Sequence, residues 1–304
     1  MTLPQMRDAV IGRLMALAHD NRHIIFMTAD MGAPALDAWR RELPGQYIDV
    51  GIAEQCMASV AAGLAREGKI VFVFAIAPFV VTRIHEFHKV NAGIQHIPYH
   101  TIGVGAGYGY GDSGPTHHNT EDIALMRVIP NMRIYRPSDS LMASSLIDLI
   151  ARSGSPTYLR LERGDLPLLS QEHETFTEGF RVIAEGSSTC LVATGMMVHT
   201  ALKVRELLPG ADLGVVDVYA LKPFPVEALC GRLSRYRRVV TIEEHLLAGG
   251  FGSILSEIWT DRSCRNELKR IGIDALLLYL YGRDTIHKAA GIDAEAIAAR
   301  VLSD

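Results

Sequence analysis

Short apolar segments alternate along the first half of the chain with segments that have the spacing of helices. We predict six strands there, over residues 23–28, 47–50, 70–76, 100–104, 132–135 and 157–161. These segments are too apolar to leave one face in water, which is typical of a parallel sheet covered by helices on both faces. The pattern predicts an α/β fold.

The periodicity stops over residues 164–179, and a second series of apolar segments follows. We predict strands over residues 189–193, 213–218, 239–243 and 275–281, with helices such as 198–208 and 252–260 between them. The sequence therefore predicts two α/β domains, residues 1–170 and 180–304, each a three-layer arrangement around a parallel sheet.

Composition narrows the classes of partner. The 304 residues are 48% hydrophobic, which is enough to bury two ordinary cores. Basic and acidic residues number 30 and 34 without a basic block, so we expect neither nucleic acid nor an anionic membrane surface as a partner. The longest apolar run, residues 70–81, is shorter than the ~20 residues that cross a bilayer. The beginning of the sequence lacks the pattern of a secretory signal, so we expect a cytoplasmic protein.

The four cysteines, Cys56, Cys190, Cys230 and Cys264, are widely separated and form no C-x-x-C pair. This spacing predicts neither a zinc site nor a disulfide framework. We expect all four to be ordinary buried thiols.

A glutamate lies in the first turn of a predicted helix over residues 53–66. Residues 56–64 are almost all small or apolar, which predicts a helix buried on all sides, in the core or in a subunit interface. Glu54 could simply complement the helix dipole. A desolvated carboxyl group is, however, suited to sharing a proton with a ring nitrogen, which makes Glu54 a candidate functional residue.

A glycine-rich segment follows the predicted strand at 100–104. Residues 103–118 are Gly-Val-Gly-Ala-Gly-Tyr-Gly-Tyr-Gly-Asp-Ser-Gly-Pro-Thr-His-His, a spacing that does not match a G-x-G-x-x-G nucleotide loop. A flexible surface loop is one interpretation. His117 and His118 nevertheless lie beyond the carboxyl end of a parallel strand, where open α/β sheets bind ligands. We favour a functional interpretation.

Five strings occur along the chain in a fixed order. They are Gly-Ile-Ala-Glu-Gln (51–55), Gly-Pro-Thr-His-His (114–118), Glu-Asp-Ile-Ala-Leu-Met-Arg-Val-Ile-Pro-Asn-Met (121–132), Arg-Pro-Ser-Asp (136–139), and Glu-Glu-His with Gly-Gly-Phe-Gly (243–252). Together they resemble the C-terminal half of transketolases and of deoxyxylulose-5-phosphate synthases. The resemblance spans nearly the whole chain, and its strength lies in the order of the strings.

The resemblance implies a thiamine-diphosphate site. Glu54 matches the glutamate that hydrogen-bonds the cofactor's pyrimidine ring and activates it. Phe79 matches the aromatic residue that stacks on the pyrimidine, although a core residue at a helix start is an equal interpretation. Asp30 resembles an aspartate close to the cofactor.

The resemblance also implies substrate contacts. His117, with its neighbour His118, matches a histidine that contacts substrate oxygens and transfers protons. Arg163 matches an arginine that holds a substrate phosphate, a role that suits its guanidinium group. Arg160 is a second candidate, although an arginine at a strand end more often forms a surface ion pair.

Two positions depart from the pattern of sugar transketolases. Gly105 stands in the place of a histidine, and Ser113 in the place of an aspartate, both of which contact substrate hydroxyls in that family. Ser113 stays a candidate substrate contact. The departures indicate a substrate other than the usual donor and acceptor sugars, and they leave its identity open.

The chain lacks the Gly-Asp-Gly string by which the family holds a divalent metal against the diphosphate. The resemblance therefore implies a partner subunit with the diphosphate-binding domain, which mainly holds a Mg²⁺ or Ca²⁺ ion, and we expect no metal ligand in this chain. We expect a heterotetramer that transfers a two-carbon ketol unit between a ketose, or ketose phosphate, and an aldehyde, and that is active only when both subunits are present.

Three alternatives stay open from the sequence. The chain could be the beta subunit of a 2-oxo-acid dehydrogenase, which passes acyl groups to a lipoyl domain. It could instead act like deoxyxylulose-phosphate synthase, with pyruvate as the donor. The third alternative is a homodimeric scaffold that keeps the fold without catalysis.

Overall fold

The computed structural model describes residues 5–277 and 279–303, and their strands form two sheets. In chain order these strands are β1 (Ile24–Thr28), β2 (Tyr47–Asp49), β3 (Ile70–Ile76), β4 (His100–Val104), β5 (Arg133–Tyr135), β6 (Thr157–Leu161), β7 (Phe180–Ala184), β8 (Thr189–Ala193), β9 (Leu213–Val218), β10 (Ala220–Lys222), β11 (Arg238–Leu246) and β12 (Glu267–Ile273). The first sheet has the order β10-β5-β6-β4-β3-β1-β2 and the second β12-β11-β8-β9-β7. Both are mostly parallel, as predicted.

Helices cover both faces of each sheet. In chain order they are α1 (Met6–Asp20), α2 (Ala35–Glu42), α3 (Glu54–Arg66), α4 (Ala77–Val80), α5 (His85–Phe87), α6 (Asp122–Arg127), α7 (Ser140–Ala151), α8 (Met197–Leu207), α9 (Val226–Leu233), α10 (Phe251–Asp261), α11 (Arg283–Ala290) and α12 (Ala294–Leu302). A π-helical turn, His88–Ile94, continues α5. None of the helices in the described ranges is both long and apolar enough to cross a membrane.

The first sheet is buried on both faces because its strands alternate their side chains between two cores. Ile24 and Phe26 of β1 pack with α1, α2 and α7, whereas Ile25 and Met27 pack with α3. This arrangement explains why β1 is apolar at consecutive positions. The second sheet is covered in the same way, by α8 and α12 on one face and by α9 and α10 on the other.

The two halves of the chain share structure. Strand β10 follows the second-half strand β9 but pairs antiparallel with β5 of the first sheet. Ile123 and Met126 of α6 lie in one core with Phe251 and Leu255 of α10. The two sheets therefore form one packed body, and the predicted domain boundary at residues 170–180 stays a prediction.

The predicted strand over residues 275–281 is wrong. The edge strand of the second sheet is β12, Glu267–Ile273, where Glu267, Lys269 and Arg270 mask the strand pattern. Leu277 and Leu280 instead pack partly against the core beside α8 and α12, and residue 278 lies outside the described residues. The sequence also did not predict β7 or β10, since both are short antiparallel edge strands.

Helix α3 is not buried on all sides within this chain. Met57, Ala58 and Ala61 lie against the first sheet, but Cys56 and Val60 on the opposite face are exposed. The expectation that all four cysteines are buried is thus confirmed only for Cys190, since Cys56 is exposed and Cys230 and Cys264 are half-buried. An exposed apolar face on this helix favours the interface alternative over the core alternative.

Candidate active site

The predicted site residues follow the carboxyl ends of neighbouring parallel strands. Asp30 follows β1, Glu54 follows β2, Phe79 follows β3, the glycine-rich segment follows β4, and Arg163 follows β6. Because these strands run in the same direction, their ends meet along one edge of the first sheet. The fold therefore brings together residues that lie up to 133 positions apart in the sequence.

Glu54 is the first residue of α3, and its side chain is only 4% exposed. Arg83 Nη1 donates a hydrogen bond to Glu54 Oε2 over 2.8 Å. The Arg83 guanidinium also lies over the Phe79 ring, with Cζ 4.8 Å from the ring centroid. A buried carboxylate needs such a partner, and Arg83 connects it to the aromatic face. The sequence did not single out Arg83.

Aromatic contacts extend this arrangement. The Phe79 and His117 rings meet edge to face at 5.3 Å, and the His117 and Tyr110 rings lie 6.1 Å apart. The Arg163 guanidinium lies over Tyr110, with Cζ 4.3 Å from the ring centroid. We call this continuous series the contact row: Glu54, Arg83, Phe79, His117, Tyr110 and Arg163. Four of its six members were predicted from the sequence; Arg83 and Tyr110 were not.

The glycine-rich segment is folded into a compact structure. Gly105 has φ +90°, and a Cβ atom there would lie 2.2 Å from Tyr110 Cδ2. Gly107 has φ +56°, and its Cβ would lie 2.3 Å from the Glu244 carboxyl carbon. Each glycine is thus required both by its backbone conformation and by close packing. The flexible-loop interpretation does not fit this packing.

His118 and Ser113 have different environments. His118 is buried with its ring edge-on to Tyr108 at 4.9 Å, and burial lowers the pKa of the imidazole. Its Nε2 atom has no hydrogen-bond partner among the described residues. Ser113 is exposed on the same segment. A substrate role for either residue stays a prediction.

Asp30 is exposed and has a positive φ of 51°. The backbone N–H groups of Asp30 and Gly51 each donate to Asp49 Oδ1 over 3.0 Å. Burial alone would raise the pKa of Asp49, but these two donors, together with the Thr28 hydroxyl and the charge of Arg40, outweigh it and lower that pKa. Asp49 therefore ties the end of β1 to the turn before α3, and the role of Asp30 near a cofactor stays a prediction.

Arg160 is not at this surface. Its side chain is fully buried, Nε donates to Asp122 Oδ2 over 2.7 Å, and Nη2 donates to the Asn119 carbonyl oxygen. Arg160 does form an ion pair, as the alternative predicted, but the prediction that this pair lies at the surface is wrong because both side chains are buried. Arg160 thus holds the chain at residues 119–122, and its position inside the protein does not fit contact with a substrate.

A buried charge cluster that the sequence did not predict contacts the glycine-rich segment. Arg136 Nη2 and Arg283 Nη2 donate to Glu162 over 2.8 Å and 2.6 Å. Glu244 accepts from Arg283 Nε over 2.9 Å and also hydrogen-bonds His287. Burial would raise the pKa of Glu244, but Arg283 and His287 outweigh it and hold that pKa well below its usual range. Glu244 and Arg136 belong to strings of the resemblance, which gave them no role.

Glu244 connects the second half of the chain to the glycine-rich segment. Its Oε1 accepts a hydrogen bond from the Tyr108 backbone N–H over 3.2 Å, and its carboxyl group fills the space beside Gly107. The second half of the chain therefore supports the segment that contains Tyr110 and His117.

The sequence matches two family models. Residues 3–168 match the model described as "Transketolase, pyrimidine binding domain", and residues 179–297 match "Transketolase, C-terminal domain". The chain belongs to the transketolase family. It is 31% identical to an apulose-4-phosphate transketolase subunit of Actinobacillus succinogenes, over 98% of this chain and 97% of that protein.

A second relative and a solved structure are also similar to this transketolase-family chain. It is 36% identical to the 1-deoxy-D-xylulose-5-phosphate synthase of Parasynechococcus marenigrum, over 89% of this chain but 43% of that protein. The solved structure of a split gene transketolase, an inactive beta4 tetramer, matches with a TM-score of 0.87 and 29% identity, over 97% of this chain and 96% of that one. The expected resemblance and fold class are confirmed.

Transketolase-family proteins use thiamine diphosphate. The contact row fits the pyrimidine end of this cofactor, because Arg83 joins a buried carboxylate, Glu54, to an aromatic ring, Phe79. Residues 5–277 and 279–303 contain no cluster of three or more His, Cys, Asp or Glu residues that could hold a metal ion.

Proposed function

We propose that this chain is one subunit of a heteromeric, thiamine-diphosphate-dependent transketolase. The enzyme transfers a two-carbon ketol unit from a ketose or ketose phosphate to an aldehyde. The observation that supports this most is the contact row, in which buried Glu54 is joined through Arg83 and Phe79 to His117 and Arg163. In this proposal the row supplies an acid that activates the cofactor, an aromatic surface, a proton carrier and a cation that binds an anion.

Thiamine diphosphate supplies, when bound, the carbon nucleophile that this reaction needs. Glu54 would share a proton of its carboxyl group with the pyrimidine ring, and its burial excludes water that would compete for that proton. Phe79 offers the face of its ring, and Arg83 orients the Glu54 carboxylate. His117 moves a proton to or from substrate hydroxyl and carbonyl oxygens. Arg163 binds a terminal anionic group on the substrate.

The partner in this proposal is a second type of subunit. It contains the diphosphate-binding domain and holds a Mg²⁺ or Ca²⁺ ion, for which oxygen ligands are required. Two copies of each subunit form a cytoplasmic heterotetramer, with each active site between unlike chains. The solved split-gene relative is an inactive beta4 tetramer, which is in line with this requirement for a partner.

Replacing Glu54 with glutamine tests the proposal. The amide keeps the shape of the side chain but cannot share a proton as the acid does, so turnover by the assembled complex should fall by roughly 100-fold to 10,000-fold. Glu67→Gln, an exposed change at the other end of α3, is the matched control and should leave turnover unchanged. Ketol transfer is measured with purified subunits, alone and mixed, and assembly by analytical ultracentrifugation.

Two results would contradict the proposal. Substantial ketol transfer by this chain without any second subunit would remove the need for a partner. Turnover by Glu54→Gln equal to that of the parent complex would favour the scaffold alternative.

A deoxyxylulose-phosphate-synthase-like reaction is the second candidate. It is supported by the 36% identity to a protein of that name, which exceeds the 31% identity to the transketolase subunit. That reaction begins with loss of CO₂ from pyruvate, so CO₂ release by the mixed subunits with pyruvate and a sugar phosphate distinguishes it. Reduction of a lipoyl domain would instead support the 2-oxo-acid dehydrogenase alternative.

A further inference from the structure

Tyr110 fills space that a side chain at position 105 would otherwise take. A Cβ atom on Gly105 would lie 2.2 Å and 2.3 Å from Cδ2 and Cε2 of the Tyr110 ring. Gly109, with an ideal Cβ position 2.9 Å from the Gly105 Cα, lets the chain turn tightly enough to bring the ring back. The ring of Tyr110 and a side chain at position 105 therefore exclude each other.

The ring also contacts Arg163. The Arg163 Cζ atom lies 4.3 Å from the Tyr110 centroid, and Arg163 Nη1 donates to the Gly109 carbonyl oxygen over 3.3 Å. A guanidinium group whose face lies on a ring keeps its N–H donors in the plane, pointing outward. Within the described ranges, the Nε and Nη2 atoms of Arg163 have no partner, so this edge is available to a ligand.

The ring also faces the reacting end of the site, since it lies 6.1 Å from His117. Tyr110 is half-buried, and Arg163 is exposed. One residue thus fixes the separation between a proton carrier and a cation. We call Gly105, Tyr110 and Arg163 the tyrosine stack.

We propose that Tyr110 is a specificity-determining residue. Its ring packs on Gly105 and holds Arg163 so that the edge of the guanidinium group can bind a terminal tetrahedral oxyanion of the substrate. The ring also fixes the distance between this binding edge and His117. This inference rests on the proposed function and deepens it. It assigns the selection of sugars with a terminal phosphate or a similar oxyanion to the ring rather than to the arginine alone.

The experiment compares kcat/KM of the complete two-subunit enzyme for an aldose phosphate with kcat/KM for the same aldose without phosphate. Tyr110→Leu removes the ring, so the ratio of the two values should fall by about 10-fold. Tyr110→Phe is the matched control, because it keeps the ring and loses only the hydroxyl, and the ratio should stay within about threefold of the parent value. Arg163→Met should lower the ratio at least as much as Tyr110→Leu.

The double variant decides whether the ring acts through Arg163. Adding Tyr110→Leu to Arg163→Met should lower the ratio no further, since residues that act as a unit are not additive. Gly105→Ala should displace the ring and lower the ratio, whereas Gly114→Ala, which has a positive φ but open space around it, should not.

Two results would overturn this inference: an unchanged ratio in Tyr110→Leu, or additive effects of Tyr110→Leu and Arg163→Met. A separate readout distinguishes its failure from failure of the proposed function. Inorganic phosphate should raise the unfolding temperature of the assembled complex, and Tyr110→Leu should remove most of that rise while Tyr110→Phe keeps it. If no substrate pair gives ketol transfer but this phosphate effect depends on the ring, the proposed function fails and the tyrosine stack stands.

Discussion

Gly107 and Gly114 belong to the same glycine-rich segment and both have positive φ, +56° and +84°. Only Gly107 touches the second half of the chain, where the Glu244 carboxyl group occupies the place of a Cβ. A Cβ on Gly114 would meet no atom within 4 Å. A substitution at Gly114 therefore tests the strain of a left-handed backbone alone, whereas the same substitution at Gly107 adds a steric conflict.

Gly107→Ala should destabilise the protein more than Gly114→Ala. Both changes place a side chain on a left-handed residue, but only the first forces Glu244 away from Tyr108 and Arg283, which should cost an additional ~1–3 kcal/mol. The free energy of unfolding in urea measures both. Equal losses would mean that Glu244 moves without consequence and does not hold the segment.

Helix α10 shows how an element can be fixed by a residue from another element. Its N-cap residue, Gly250, has no side chain, and the Glu243 carboxylate of β11 accepts from the Phe251 and Gly252 N–H groups over 2.6 Å and 2.8 Å. Burial raises the pKa of Glu243 to about 7, although these two donors oppose the shift. Glu243 therefore changes its charge near neutral pH inside the second half of the chain.

The charge of Glu243 should make stability depend on pH. Between its ordinary pKa of 4.5 and about 7, the folded protein keeps a proton that the unfolded chain has released, so stability falls as pH rises through this range. Relative to Glu243→Gln, the wild-type protein should lose roughly 2–3 kcal/mol between pH 5 and pH 8. Urea unfolding of both proteins at each pH measures this, and parallel curves would contradict it.

At the scale of the whole molecule, an apolar face lies next to Glu54. It consists of Ile52, Cys56, Val60, Val90 and Ile94, of which Ile52 and Ile94 are 76% and 65% exposed. A hydrogen bond from Arg66 to Gln95 holds the end of α3 beside the π-helical turn, so these residues share one side of the molecule. Since Ile52 precedes Glu54 by two positions, a subunit that covers this face would also close the site. We expect the partner subunit of the proposed function to cover this face.

Val60→Glu should weaken assembly with the partner subunit, because it places a charge in the middle of this apolar face. Ketol transfer should fall at low subunit concentration and recover at high concentration. Leu207→Glu, the same kind of change at an exposed leucine on α8, should assemble normally. Analytical ultracentrifugation of the mixtures measures this, and normal assembly by Val60→Glu would place the interface elsewhere.

Several residues of the site could be predicted because their signals are local. Glu54, Phe79, His117 and Arg163 lie within short strings that follow apolar strands, and the direction of parallel strands places all four at one edge. The order of apolar segments was likewise enough to predict the fold class. The order of apolar segments did not predict β12, because an edge strand with polar side chains resembles a loop in the sequence. It also gave a false strand at 275–281, where Leu277 and Leu280 are apolar because they pack partly against a core.

The remaining features depend on contacts between distant parts of the chain, which a local pattern does not specify. The sequence determined that position 105 is a glycine, but only the folded segment places the Tyr110 ring in that space and Arg163 upon it. In the same way, the pairing of Arg83 with Glu54, the burial of Arg160 and the support from Glu244 follow from how the two halves pack. The sequence by itself determined which chemical groups are present and at which strand ends they lie; the tertiary structure decided which of them meet, because partners and burial are set by packing across the whole chain.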